Sequence, residues 1–215
     1  MRRRPASWWT GGLFAVGSIC FLIGPLPGFV QLVGEPADAA VFFVGSLFFT
    51  SAAAWQWARS PLRDSALGFP RRHWRSDLGS SALQFAGTIF FNATTFRALT
   101  TATGDGSYDH LVWRPDAIGS VCFLASGAIA YVLVAGSLTK LPPGTRDGRI
   151  ATVNLLGCLA FLLSAVAAYV LPTSGEPVNV TIVNVATALG ALGFLIGAVL
   201  QMRGHPVGVA SSGRS

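Results

Sequence analysis

Six runs of the chain carry no Asp, Glu, Lys or Arg: residues 11–33, 39–57, 78–96, 117–137, 150–171 and 179–202. Each approaches or exceeds the roughly 20 residues with which an α-helix crosses a hydrocarbon core about 30 Å thick. Inside lipid every backbone N–H and C=O needs a protein partner, and runs of this length satisfy that need as helices rather than as barrel strands of about 10 residues. Only 11% of the 215 residues are charged, against about 25% in soluble domains, and mean hydropathy is +0.56. A disordered, collagen-like or disulfide-rich secreted chain is excluded. The expected fold is all-α. It is a polytopic membrane protein with six transmembrane helices in a single membrane domain, 11–202, between an N-terminal segment 1–10 and a C-terminal tail 203–215.

The connections orient these spans. With the N-terminus in the cytoplasm, the inner segments collect Arg2, Arg3, Arg4, Arg59, Arg63, Arg71, Arg72, Arg75, Lys140, Arg146, Arg149, Arg203 and Arg214. The outer segments keep only Arg97 and Arg114, together with Glu35, Asp38, Asp105, Asp109, Asp116 and Glu176. This follows the positive-inside rule and predicts both termini in the cytoplasm. Trp8, Trp9, Trp55 and Trp57 suit an interfacial belt. Pro25 and Pro27 are expected to kink the first span or end it early. Arg2 to Arg4, the first apolar run and Ala37-Asp38-Ala39 also resemble a secretory signal. The run is longer than the ~7–15 residues of a signal core, so a retained first span is the expectation, and cleavage would leave five spans.

One pattern recurs in every span: Gly, three residues, Phe, two residues, then a small residue. It appears at Gly17, Phe21 and Gly24, at Gly45, Phe49 and Ala52, and at Gly87, Phe91 and Thr94. It returns at Gly119, Phe123 and Ser126, at Gly157, Phe161 and Ser164, and at Gly190, Phe194 and Gly197. These positions share one helix face. Burial does not drive helix pairing in lipid, and small residues permit the close approach that does. The stripe therefore reads as a helix-packing motif, with a repeated ligand groove as the alternative. The first and fourth spans match best, Gly17-Ser-Ile-Cys-Phe-Leu against Gly119-Ser-Val-Cys-Phe-Leu. The second with the fifth and the third with the sixth follow in order, which predicts a 3+3 inverted repeat.

Trp113-Arg114-Pro115-Asp116 running into Gly119-Ser-Val-Cys-Phe-Leu resembles a segment of the YrhK-like membrane proteins of bacteria. Phe43-Val-Gly-Ser-Leu-Phe-Phe-Thr50 and Gly87-Thr-Ile-Phe-Phe-Asn92 are similar to other parts of such proteins. The resemblance implies a helical membrane architecture and carries over no catalytic or binding residue.

Chemistry-bearing patterns are sparse. Cys20, Cys122 and Cys158 lie inside apolar runs without paired spacing, so neither disulfides nor a zinc site is expected. His73 and His205 fall on the inner side and His110 on the outer, too far apart for one metal. No span holds an acid or a base, which argues against ion-coupled transport. No enzyme, cofactor or metal is expected. Trp113, Arg114 and Asp116 read as an interfacial anchor with helix-start chemistry around Pro115. The alternative is an outer binding patch formed with Asp105, Asp109 and His110. The residues three before each repeat glycine are Phe14, Phe42, Gln84, Asp116, Asn154 and Thr187, so Gln84 and Asn154 share a position. Gln84, Thr88, Asn92, Asn154 and Asn184 either bond between helices, at about 0.6 kcal/mol each, or line a path for a small neutral solute. The basic loop 59–75 suits anionic lipid headgroups rather than nucleic acid. The sequence thus supports a structural or accessory membrane protein, with a small transporter or channel for an uncharged solute as the alternative.

Overall fold

The computed structural model describes residues 6–66, 71–101 and 105–203, with side chains described at 7–60, 76–101 and 105–203. Expectations placed on Arg2, Arg3, Arg4, His205 and Arg214, and on the side chains of Arg63, Arg71, Arg72, His73, Trp74 and Arg75, lie outside the described residues.

Among the described residues seven α-helices follow one another: α1 Ala6–Ile23, the short α2 Phe29–Val33, α3 Glu35–Ala66, α4 Arg71–Ala98, α5 Arg114–Ala135, α6 Arg146–Ala167 and α7 Val180–Met202. The six long helices pack as a ring in the order α1, α3, α4, α5, α6, α7, and α7 returns to α1. Short connections make sequential neighbours antiparallel. Ser80 bonds Ser126 while Thr94 reaches Val112, so α5 descends as α4 rises.

Four of these helices, not six, are long and apolar enough to cross a membrane: Glu35–Ser60, Asp109–Ala135, Arg146–Ala167 and Val180–Met202. The expected first span, 11–33, does not exist as one helix. α1 stops at Ile23 because Pro25 and Pro27 cannot donate backbone N–H groups, and Gly28 then turns the chain into α2 at φ 87°. Its apolar stretch, Ser7–Ile23, is correspondingly short. α4 has ample length at 28 residues but is rich in hydroxyls and amides. Those hydroxyls turn into the bundle: Thr95 Oγ1 donates to the Phe91 carbonyl at 2.7 Å and Thr94 Oγ1 to the Val112 carbonyl at 2.6 Å. A low average hydropathy in α4 therefore coexists with an outward face that carries Ile89, 47% exposed.

The outside of the ring is apolar, and inside it small hydroxyl residues share the core with phenylalanines and alanines. Val16, Leu47, Val121, Leu163, Val166 and Leu189 are exposed, while Ser18, Ser46, Thr88, Ser120, Ser126 and Ser164 are buried. Lipid tails accept such an outer surface at no cost.

The helices meet in three hairpins, α1 with α3, α4 with α5, and α6 with α7, and each hairpin exchanges one contact twice. A Cβ on Gly17 would lie 2.7 Å from the Phe49 ring, and one on Gly45 would lie 3.0 Å from Phe21 and 2.7 Å from Cys20 Cβ. Gly87 similarly faces Phe123 at 2.9 Å and Gly119 faces Phe91 at 3.3 Å. Gly157 faces Phe194 at 3.1 Å and Gly190 faces Phe161 at 3.0 Å. Each phenylalanine is a knob seated where its partner helix has no side chain. The residue after each glycine is small as well: Ser18, Ser46, Thr88, Ser120, Cys158 and Ala191 are all at most 3% exposed. Phe21, Phe91 and Phe161 then close the middle of the ring as a triangle, with centroids 6.2, 6.1 and 5.9 Å apart. The free space among these rings and Phe49, Phe123 and Ser46 is about 10 Å³, no more than one water.

Candidate functional site

A cavity of about 310 Å³ opens on one side of the phenylalanine triangle, at the end where α1, α4 and α6 finish and α3, α5 and α7 begin. Phe21, Phe91 and Phe161 are its floor. Its walls carry Glu35, Asp38 and Phe42 from α3, Thr94 and Thr95 from α4, Tyr108, Trp113 and Asp116 around the start of α5, and Ser164 and Thr187 from the last hairpin.

The local chain explains why Asp116 enters this cavity. A five-residue π-helical turn, Asp109–Trp113, precedes α5, and the Arg114 N–H donates to the Asp109 carbonyl. Pro115 has no N–H to give the preceding turn, and its ring would crowd a normal α-helical carbonyl. The wide turn absorbs that clash. Helical backbone thus already runs through Tyr108 and Trp113, both in the right-handed region. The expected helix-start chemistry is present, with Pro115 at the opening of α5 and Asp116 in its first turn, and the π-helical turn adds helical backbone ahead of it. Trp113 Nε1 donates to the Ala165 carbonyl at 2.9 Å, and its ring meets Tyr169 edge-on at 4.8 Å. Arg114 pairs with Asp109 at 2.8 Å on the exposed side.

The proposed outer patch does not assemble. Asp105 accepts from Ser107 Oγ and N at 2.6 and 2.7 Å, and those bonds hold its carboxyl below the ordinary value. Asp109 is engaged by Arg114, and His110 is exposed. Asp105, Asp109 and His110 stay outside the cavity, which Trp113 and Asp116 line. Burial, and then the negative charge of Asp116, push the Tyr108 hydroxyl above its ordinary value.

The polar set expected to line a path does not converge either. None of Gln84, Thr88, Asn92, Asn154 and Asn184 lines the cavity. Thr88 is fully buried, donates to the Phe85 carbonyl at 2.7 Å, and its own carbonyl accepts from Thr50 at 3.4 Å. Asn154 packs over Gly197, where a Cβ would overlap its side-chain oxygen. Gln84 and Asn92 are half-buried and Asn184 is exposed. The side-chain oxygens of Asn92 and Asn154 are buried without a hydrogen-bond partner. Polarity marks these residues in the sequence but does not say which way a helix turns them.

The residues that do form the cavity carried a usable signal. Phe42, Asp116 and Thr187 all stand three before a repeat glycine, on the three helices that run away from the cavity, and all three line it. Thr94 and Ser164 stand seven after a repeat glycine on the helices that run toward it. Ser164 and Thr187 meet at 2.7 Å between hydroxyl oxygens. Glu35 and Asp38 had no such mark, because their role depends on how α2 and α3 fold beside α1. Among the described residues, no group of His, Cys, Asp and Glu is arranged to hold a metal ion. No family model, no curated protein and no solved structure matches the chain.

Proposed function

We propose that this chain is a six-span bacterial inner-membrane protein, resembling the YrhK-like group, whose ring of helices serves a structural or accessory role. The observation that carries this reading is the closed centre: three phenylalanines in mutual contact, each held by a glycine on a neighbouring helix. A passive channel needs a continuous wet path, and the amides offered for one line no common space. α1 and α4 complete the six crossings in this reading. Their apolar outward residues, among them Val16, Ile19 and Ile89, meet lipid while their polar residues face neighbours. Both termini lie in the cytoplasm in this reading, which the distribution of basic residues supports. The cavity then opens outward, and Arg59, stacked 4.6 Å over the Trp55 ring, sits at the cytoplasmic surface near anionic headgroups. The 3+3 inverted repeat relates α1 to α5, α3 to α6 and α4 to α7, which lie opposite one another in the ring.

Reconstituted vesicles test this role. Osmotic swelling with a size series of neutral solutes should be no faster than in empty vesicles. Faster swelling that Phe161→Trp abolishes would establish a solute path and end the accessory reading. A cysteine placed at Ser107, in a background without native cysteines, should label only from the extracytoplasmic side.

A further inference from the structure

The cavity has a chemistry that a structural role does not use. Three carboxylates, Glu35, Asp38 and Asp116, line a space of about 310 Å³ that also presents the Tyr108 hydroxyl and the rings of Phe42, Phe91 and Trp113. No Lys, Arg or His is among the lining residues. Asp116 is half-buried in the cavity wall, and among the described residues no hydrogen-bond donor or cation reaches its carboxylate. One side-chain oxygen of Asp38 is buried and has no hydrogen-bond partner. An ionised carboxylate held away from water without a partner is costly, and the usual remedy is a counter-ion.

We propose that this cavity binds a small organic cation with an aromatic or otherwise apolar body. Asp116 and Asp38 meet its positive charge, the aromatic rings face its apolar body, and the phenylalanine triangle stops it at the middle of the bundle. The space falls at the lower edge of the ~300–1,000 Å³ of small-molecule sites. Aromatic faces add attraction for a cation once water is excluded. A bare metal ion fits less well, since the carboxylates are not gathered as ligands and much of the wall is aromatic. The unlike hairpins point the same way. Gly24 and Phe42 fill their corner with a ring, and Ser164 and Thr187 satisfy each other. The third corner leaves Asp116 open beside Thr94. This inference goes beyond the accessory role and holds whether or not the vesicles swell.

The test uses the full chain in nanodiscs and calorimetric titration with benzyltrimethylammonium. Two comparison molecules of similar size are the neutral N,N-dimethylbenzamide and the anion phenylacetate. Saturable one-to-one binding of the cation is expected, at least tenfold tighter than the neutral molecule, with no binding of the anion. Asp116→Asn should weaken the cation at least tenfold, while Asp147→Asn, in the first turn of α6 at the opposite end, should leave it unchanged. If Asp116→Asn does not give a single folded species, Asp38→Asn and the cavity-filling Ala39→Phe carry the same comparison. Equal affinity for cation and neutral molecule, no saturable binding by folded protein, or insensitivity to the carboxylate and Ala39 variants would each overturn the proposal.

Discussion

The middle of the bundle and its cavity end are built from the same three hairpins, yet they differ in how alike those hairpins are. In the middle the three are nearly interchangeable: a glycine, a small buried neighbour and a phenylalanine knob on every long helix. One turn further toward the cavity the positions diverge. Phe42, Asp116 and Thr187 occupy one equivalent place, and Gly24, Thr94 and Ser164 the other. Packing between helices in lipid has few good solutions, and close approach over glycine is one of them, so all three hairpins share it. The cavity end is free of that constraint, and its differences concentrate unpartnered carboxylates in one place.

The contrast breaks first at the glycines. Gly45→Leu should prevent folding, because even a Cβ there would sit 2.7 Å from Cys20 Cβ and no rotamer change moves that atom away. No monodisperse species should survive detergent extraction, whereas Ser137→Leu, off the stripe, should extract normally. Phe161→Ala should be the next largest effect, since that ring meets Phe21, Phe91, Phe123 and Phe194. A loss of about 3–5 kcal/mol is expected in a reversible unfolding assay. Ser164→Ala removes the bond to Thr187 and the 3.1 Å bond to the Val183 carbonyl, and should cost about 0.6–1.7 kcal/mol. Leu163→Ala, on the outer face at 54% exposure, should stay within about 0.5 kcal/mol. A cost for Leu163→Ala equal to that of Phe161→Ala would mean that the outer face is a protein interface and not a lipid surface.

Much of the middle was legible in the sequence. Glycine and phenylalanine at i and i+4 can face only one way, and six repetitions left little freedom for the partner. The small residue after each glycine was equally visible, but Ser, Thr, Cys and Ala have no common chemistry, and their shared trait is size. The cavity end was harder to read for two physical reasons. A π-helical turn runs into the start of α5 ahead of Pro115 and Asp116, and no local pattern announces such a turn. Glu35 and Asp38 look like loop charges until Pro25, Pro27 and Gly28 end α1 and fold α2 beside them. Polarity and a shared repeat position mark the amides of α4 and α6, but helix rotation leaves them outside the cavity, with Asn154 set against Gly197 of α7.

The closed middle and the one-sided cavity are tested together by single cysteines along the last hairpin, in a background without the other cysteines. A small membrane-impermeant thiol reagent is applied from either side of sealed vesicles. Cysteines at Ser164 and Thr187 should react from the extracytoplasmic side only, and native Cys158, 3% exposed beside the phenylalanines, should react from neither. Reaction of Cys158, or reaction at position 164 or 187 from both sides in folded protein, would contradict a bundle sealed by its phenylalanine triangle.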